Sequence, residues 1–293
     1  MVVHRRGVIV VVFALAVTPV VFGLGPTSPL REAQPTRLDS CTTITESGRY
    51  VLSGDIESPA KTCIRVNADD VVLSGAGHSV DGGVFRENTT GVAVTGANVT
   101  VRNLSVRRWT FGIRYESAPD GVVRNVRTWR TVDGVTFASS PGASVTRLSA
   151  MNGVSGISFV DSDEGIVRDS TIRYQSSTGV FVADSRRVAV ANATVTRTET
   201  GIALLGSRQG RVNDSVVRAT GTSSLLLLDS RGNSVRNVTL SNPRRPATVL
   251  LSNATDNRIV GTDGNWSLQR GNDGRKNSVM NSTSDSSDYP LSA

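Results

Sequence analysis

Arginine and aromatic residues recur through the middle of this chain at intervals close to 22 residues or about twice that. Planar guanidinium groups match carboxylate or sulfate groups, and aromatic faces suit sugar rings. If the chain repeats with the same period, these side chains line one side of it and could hold an anionic polysaccharide. A merely solvated face is the alternative, because arginine is common throughout the chain. The residues are Arg107, Arg108, Trp109, Trp129, Arg130, Arg173, Tyr174, Arg197 and Arg218.

Acidic residues also recur, at turns where each precedes a serine: Asp161, Asp184 and Asp229. Carboxylates on stacked turns could bind calcium, which favours oxygen ligands. An Asp-Ser pair is more often a turn that satisfies its own backbone. Calcium is therefore a weak possibility, and the sequence predicts no other metal or cofactor.

A second acidic group surrounds His78, with Asp69, Asp70 and Asp81 nearby in the sequence. His78 and Asp81 are weak candidates for acid–base catalysis, and the alternative is that these residues only form turns. Hydrolysis of a polyuronate needs a compact set of acids beside a histidine, and a lyase needs acid-bound calcium with a basic residue. The chain has two histidines, His4 and His78, and His4 lies in the N-terminal targeting segment described below, so His78 is the only candidate.

The elements that position these residues are repeats that run from Gly91 to Leu251. Apolar residues alternate within each unit, which is typical of strands and not of helices. Self-similarity at this period indicates a solenoid, because one unit cannot bury its apolar face without its neighbours. The units begin at Gly91, Gly112, Gly134, Gly156, Gly179, Gly201, Ser224 and Ala247.

A second motif in each unit places Asn or Asp between two short strands, where the chain must turn a corner. Asn and Asp tolerate a left-handed backbone and form local hydrogen bonds. Stacked in successive units, they predict a polar ladder inside a bend, and Arg147 predicts a local bulge where it interrupts the column. The ladder consists of Asn103, Asn125, Asp169, Asn192, Asp214 and Asn237.

Two or three strands per unit, each pairing with its equivalent one coil away, make a parallel β-helix with rungs roughly 4.8 Å apart. About ten coils of ~22 residues would form a rod on the order of 50 Å long. The paired motifs G-[IV]-x-[FVL] and V-x-[ND]-x-[ST]-[VI] resemble pectate-lyase-like repeats, and most closely the NosD-type domain of secreted prokaryotic proteins. The resemblance covers Cys41 to about Val260. It implies an all-β, single-stranded, right-handed parallel β-helix, and it leaves the activity open because this architecture hosts many functions.

The termini suggest export. Residues 1–25 combine Arg5 and Arg6 with an apolar run, which predicts a cleaved signal peptide or a retained membrane anchor. Both alternatives place the remaining chain outside the cytoplasm, either secreted or anchored at the cell surface. We expect a linker over residues 26–40, the β-helix over 41–262, and a cap with a polar, disordered tail over 263–293.

Export also bears on the cysteines and the asparagine sequons. Cys41 and Cys63 lie one repeat period apart, which would bring them above one another, so a disulfide is the expected role. Among the N-x-S/T sequons, loop and tail positions are the better glycosylation acceptors, namely Asn88, Asn265 and Asn281. Sequons in the polar ladder are expected to be inaccessible: Asn103, Asn192 and Asn237.

The net charge and the number of potential copper ligands restrict the classes of function that the chain could have. The formal net charge of +7 becomes +5 without Arg5 and Arg6, a mild excess that fits an acidic polymer, and the repeats contain no recognisable nucleic-acid module. Three Met, two Cys and one histidine beyond the leader do not predict a copper site. The sequence thus predicts an exported carbohydrate-binding or structural envelope protein. The alternative is a lyase or hydrolase that acts on an anionic polysaccharide, and the oligomeric state is left open.

Overall fold

A computed structural model describes residues 34–243, 245–271 and 276–281. The leader predicted for residues 1–25 and most of the predicted tail lie outside these ranges. Every strand pairing in the described residues is parallel and joins equivalent strands of neighbouring coils. The chain winds through about 11 turns, and the predicted all-β, right-handed parallel β-helix is confirmed.

Three faces run along the solenoid. The front face contains β2 (Thr42–Ile44), β5 (Thr62–Val66), β8 (Thr90–Val94), β10 (Phe111–Glu116), β12 (Asp133–Ala138), the second halves of β14 (Ser149–Val160), β16 (Thr171–Ala183) and β18 (Thr194–Leu205), then β21 (Ser223–Leu228), β24 (Ala247–Ser252) and β26 (Trp266–Arg270). The second face contains β1 (Thr36–Leu38), β3 (Gly48–Leu52), β6 (Val71–Ser74), the first halves of β9 (Thr100–Arg107) and β11 (Val122–Trp129), β13 (Ser144–Thr146), β15 (Ile166–Arg168), β17 (Ala189–Ala191), β19 (Arg211–Asn213), β22 (Ser234–Arg236), β25 (Arg258–Thr262) and β27 (Ser278–Asn281). The third face contains β4 (Ile56–Glu57), β7 (Ser79–Asp81), the remaining halves of β9, β11, β14, β16 and β18, then β20 (Val216–Arg218) and β23 (Thr239–Ser241).

The corners between faces are made by single residues with a left-handed backbone. Between the second and third faces, Asn103, Asn125 and Asp169 have φ of 51°, 53° and 51°, as the sequence predicts. Arg147 has the same conformation, with φ of 54°, and the strands on either side of it keep their register. The predicted bulge at Arg147 is therefore wrong, because arginine also adopts the left-handed corner when the stacked coils fix it there.

The position of the polar ladder is also corrected. Asn192 donates a hydrogen bond to Asp169 over 3.2 Å and Asn237 donates one to Asp214 over 3.2 Å, but these side chains are exposed on the outside of the corner. Sequons at Asn192 and Asn237 are therefore accessible, and Asn103 is half-buried. The buried polar ladder consists of serines that follow other corner residues, such as Ser140, Ser162, Ser185, Ser207 and Ser230.

Apolar side chains that alternate along the strands fill the interior. The rings of Tyr115, Phe137 and Phe159 stack in successive coils with centroids 4.9 and 5.0 Å apart. The glycine that opens each repeat allows the coils to approach closely. A Cβ at Gly156 would lie 2.6 Å from the carbonyl oxygen of Gly179. The repeated glycine is therefore a packing requirement of the stack.

The first coil is closed by the predicted disulfide, which is confirmed. Cys41 and Cys63 precede the paired residues Thr42 and Ile64, and their Cα atoms are 4.4 Å apart. Strands extend past the boundaries expected at residues 41 and 262, because β1 pairs with β3, and β26 and β27 add to the upper coils. None of the described residues belongs to a helix that is long and apolar enough to cross a membrane.

Candidate functional site

The predicted arginine and aromatic residues occupy two adjacent columns where the third face meets the front face. Strand register aligns the first column across successive coils: Arg107, Trp129, Met151, Arg173, Thr196 and Arg218. The second column is the next corner, with φ between 53° and 59°: Arg108, Arg130, Asn152, Tyr174, Arg197 and Ala219. We call these two columns the arginine–aromatic stripe. Its five rung spacings extend over about 24 Å.

Trp109 does not belong to the stripe. Its side chain is 0% exposed, and its Nε1 donates to the carbonyl oxygen of Val80 over 3.2 Å. The residue after the corner points inward, which places this tryptophan in the core. Trp109 therefore cannot contact a ligand, and its assignment as a binding residue is corrected.

The lower end of the stripe is occupied by a buried ion-pair cluster. Arg108 donates from Nε and Nη2 to the two carboxylate oxygens of Asp81, over 2.7 and 2.6 Å. Arg107 Nε lies 3.1 Å from the same carboxylate, and the Gly83 N–H donates to it over 3.0 Å. The Asp81 side chain is only 3% exposed. Both arginines are thus engaged within the protein, and Asp81 has no free oxygen for catalysis.

His78 pairs with a different acid. Its Nδ1 is 3.6 Å from Asp55, whose pKa is lowered first by the hydrogen bond from the Ser79 backbone and further by His78. Asp69 accepts from the backbone of Ala97, and Asp70 accepts from the side chain of Asn98. The acids near His78 therefore satisfy separate turns, and the structure does not form His78 and Asp81 into a pair.

The upper stripe presents its cations to solvent. The Arg130 guanidinium lies over the Trp129 ring at 4.3 Å from its centroid, and Arg197 lies over Tyr174 at 5.1 Å. Arg197 also donates to the Tyr174 hydroxyl over 2.5 Å. Tyr174 is 43% exposed, and Arg173 is exposed beside it. Stacking leaves the edges of a guanidinium available to bind a carboxylate.

Asp133 is a titratable residue beside the stripe that was not singled out from the sequence. It follows the Arg130 corner by three residues and lies at the start of front strand β12. Burial raises its pKa, while a hydrogen bond with Ser155 and the charge of Arg114 oppose the shift. A lone acid in a Thr-Val-Asp-Gly segment gives no sequence signal, because its burial depends on the neighbouring coils.

The recurring Asp-Ser turns are confirmed as turns. Asp161, Asp184 and Asp229 have φ of 48°, 49° and 52°. Asp161 accepts from Ser139 over 3.2 Å, and Asp229 accepts from Asn253 over 2.5 Å. No group of three or more His, Cys, Asp or Glu side chains in the described part of the chain is arranged to hold a metal ion. Calcium binding at these turns is not supported by their geometry.

Among the predicted glycosylation acceptors, Asn88 and Asn265 are exposed in turns. The Asn281 side chain lies outside the described residues. Exposure of the first two is what modification requires, and their glycosylation stays a prediction.

Residues 127–281 match the model of a family described as periplasmic copper-binding protein (NosD). This match covers more than half of the chain. The chain belongs to the NosD family. Because the family is described as periplasmic, the NosD assignment supports a location outside the cytoplasm. No curated protein matches the sequence.

Solved structures share the fold at low sequence identity. The Azotobacter vinelandii mannuronan C-5 epimerase AlgE6 A-module is 14% identical, with a TM-score of 0.65, over 84% of this chain and 82% of that one. The Dettilon tailspike protein (gp208) is 13% identical, with a TM-score of 0.62, over 84% of this chain; this chain spans only 60% of the tailspike. Pectate lyase Pel9A is 14% identical, with a TM-score of 0.50, over 76% of this chain and 66% of that one. At such identities these likenesses show the fold alone.

Proposed function

We propose that this NosD-family chain is an extracytoplasmic rod that binds an anionic polysaccharide along the upper part of the arginine–aromatic stripe. The observation that carries the proposal is the register, which places exposed cations and aromatic rings in two adjacent columns whose rungs are about 4.8 Å apart. The binding residues are Trp129, Arg130, Arg173, Tyr174, Arg197 and Arg218. Arg107 and Arg108 serve the stability of the coil, because they neutralise Asp81.

The chemistry of the upper stripe suits a chain of uronic acids. Arg173 and Arg218 form no ion pair with a described acid, so their guanidinium groups can donate hydrogen bonds to carboxylates of a ligand. Tyr174 and Trp129 supply faces for sugar rings. Two of the similar structures are named for mannuronan and pectate, which are both acidic polysaccharides. These names support the choice of ligand class.

Copper does not fit the donor atoms of the described residues, although the family description names it. Cys41 and Cys63 form a disulfide and offer no thiolate. His78 pairs with Asp55, and no three His, Cys, Asp or Glu side chains in the described ranges are arranged to hold a metal ion. Copper sites need imidazole, thiolate or thioether ligands in a compact set. The proposed function therefore assigns no step to copper.

Binding is tested by calorimetry of the full chain with alginate and polygalacturonate, with neutral dextran as the control polymer. Arg173→Ala and Arg197→Ala should each weaken binding about tenfold, because one charge-assisted contact is lost. Arg168→Ala is the matched control, since Arg168 is exposed in the same coil as Arg173 but on the second face. Affinity for both acidic polymers should also fall as salt is raised. Equal effects of Arg173→Ala and Arg168→Ala, or the absence of binding, would refute the proposal.

An enzymatic alternative is favoured by one observation, the raised pKa of Asp133 beside the stripe. A carboxyl that holds its proton to higher pH suits a general acid that protonates a glycosidic oxygen. Hydrolysis also needs a second carboxylate, whereas the groups that influence Asp133 are Ser155 and Arg114. New reducing ends or unsaturated products that disappear in Asp133→Asn would establish this alternative. Polymer binding without product formation would exclude the enzymatic alternative and support the binding function.

A further inference from the structure

The outward side chains of the front face become more apolar from the lower coils to the upper coils. Its central column is Arg65, Ala93, Arg114, Thr136 and Ser158 in the lower coils, and Phe181, Ala203, Leu226 and Leu250 in the upper coils. The adjoining column begins with Glu116 and is apolar in the coils above it: Ala138, Val160, Ala183, Leu205 and Leu228. Inward residues of the same strands, such as Ile202 and Leu204, are at most 2% exposed, and the short outward side chain of Ala203 is also only 2% exposed. Since lower coils fold with Arg65, Arg114 and Glu116 at outward positions, the fold does not require large apolar side chains there.

We call Val160, Phe181, Leu205, Leu226, Leu228 and Leu250 the upper front patch. Val160 is 36% exposed, and the other five side chains are partly exposed. The central column from Phe181 to Leu250 covers three rungs, about 14 Å. A stable protein interface needs roughly 800 Å² per partner, which a patch of this size does not provide. Its side chains offer no hydrogen-bonding groups, so it does not suit a sugar.

A ladder of arginines lies beyond the turn that borders the patch. The backbones of Arg186, Arg208 and Arg231 form parallel β-bridges, so these residues are in register in three successive coils. With Arg187, Gln209, Asp229 and Gly232, they line an open cavity of about 710 Å³. Stacked like charges repel one another, so an anion placed between them is stabilised.

The ladder retains free positive charge. Arg187 pairs with Glu164 and Arg231 pairs with Asp256, but the side chains of Arg186 and Arg208 have no acidic partner among the described residues. Arg211 and Arg258 project from the neighbouring second face. With the two acids of the coil below that contact the ladder, this side of the rod presents six arginines against five acids: Arg186, Arg187, Arg208, Arg211, Arg231 and Arg258 against Asp163, Glu164, Asp184, Asp229 and Asp256. The apolar patch therefore has a basic margin.

We propose that the upper front patch and the arginine ladder together dock this protein on an anionic phospholipid surface. Apolar side chains enter the boundary of the acyl region, and the adjacent guanidinium groups bind headgroup phosphates. Arginine is suited to this margin because its stem stays in apolar surroundings while its head reaches the phosphates. The arginine–aromatic stripe lies at the opposite margin of the front face and remains accessible. The inference is therefore independent of polysaccharide binding.

The test uses single thiol labels on the full-length chain. Both native cysteines are in the disulfide, so Leu226→Cys provides one thiol for an environment-sensitive fluorophore. Thr146→Cys is the matched control, because Thr146 is outward and partly exposed on the second face. Leu205→Cys is a second label within the patch, and far-UV circular dichroism checks the fold of each variant. The vesicles contain phosphatidylglycerol mixed with phosphatidylcholine, or phosphatidylcholine alone, with brominated acyl chains as quencher.

We expect a blue shift and acyl-chain quenching at residues 226 and 205, but not at 146. Arg208→Gln should weaken binding to phosphatidylglycerol vesicles about fivefold, whereas Arg168→Gln should not. An equal response at 226 and 146 would place the membrane contact elsewhere in the chain and refute the proposal. So would no response at 226, or a shielded label at 226 in lipid-free protein that sediments as a dimer.

Discussion

Replacing Arg108 with alanine should destabilise the lower coils strongly. The variant removes two hydrogen bonds of 2.7 and 2.6 Å to Asp81, whose side chain is 3% exposed. Breaking a buried ion pair by removing one partner costs about 3–5 kcal/mol. Arg107 and the Gly83 N–H still contact the carboxylate, and the Arg108 side chain is itself 30% exposed. We therefore expect a loss near the lower end of the range, about 3 kcal/mol.

Arg130→Ala is the control for this substitution. Arg130 occupies the same corner one coil higher, with φ of 53° against 59° for Arg108, so alanine meets the same backbone conformation in both variants. Arg130 is exposed and stacks on Trp129 at 4.3 Å. A cation–π contact at an exposed site contributes about 0.5–1 kcal/mol. The difference between the two variants therefore isolates the ion pair with Asp81.

The free energy of unfolding is measured by urea denaturation followed by circular dichroism. Hydrogen exchange shows whether the loss is local, because solenoid coils depend mainly on their neighbours. The second substitution Asp81→Asn, introduced into Arg108→Ala, should recover part of the stability by removing the uncompensated charge. Equal losses in Arg108→Ala and Arg130→Ala, or no recovery in the double variant, would contradict the assignment of Arg108 to stability.

Three further predictions concern the core, the disulfide and pH. Gly156→Ala should cost about 1–3 kcal/mol in urea denaturation, because the added methyl group would lie 2.6 Å from the Gly179 carbonyl oxygen; an unchanged free energy would show that the coils can separate. Replacing Cys41 and Cys63 with serine should cost about 3 kcal/mol relative to the oxidised wild type, for a closed loop of this length, and reducing the wild type should cause the same loss. The raised pKa of Asp133 makes stability fall as pH rises above its ordinary value of 3.8, since the folded state holds the proton longer than the unfolded state. Asp133→Asn should reduce this slope in thermal denaturation scans between acidic and neutral pH, and an identical slope would contradict the assignment.

The repeat architecture was predictable because two local signals agree. Alternating apolar residues identify strands, and Asn103 or Asp169 at a fixed offset identifies a corner. Both signals depend on a few neighbouring residues and recur in most coils. The disulfide was predictable for the same reason, since a separation of one period places Cys41 above Cys63.

Side-chain direction at the corners was harder to predict. A shift of one residue separates the outward Arg108 from the buried Trp109, and both follow the same strand. The exposed ladder was placed inside the bend for the same reason, because the left-handed residue points outward while the serine after it, such as Ser170, points inward. Composition and period do not distinguish these two positions. The geometry of the turn decides between them.

The partner of Asp81 was also beyond sequence reasoning. The two residues of the pair are separated by 27 positions, more than one regular period, because the coil between them is longer. A separation that differs from the repeat period cannot be predicted from that period. Arg107 and Arg108, which their repeat spacing placed in the predicted ligand site, are consequently assigned to this cluster.

The lower and upper parts of the stripe differ because, among the described coils, only the lower ones bring a buried carboxylate next to the arginines. Where the coil below brings a buried carboxylate to the third face, as Asp81 does, the arginines above it are held inside the protein. Where the coils bring Met151 and Thr196 to the same column, the cations between and above them have no internal acid to bind. Arg173 and Arg218 have no acid beside them in this column, which supports their proposed role in binding an external anion. One repeated corner thus supplies a structural ion pair at the lower end of the rod and, above it, the exposed surface that we propose binds the polysaccharide.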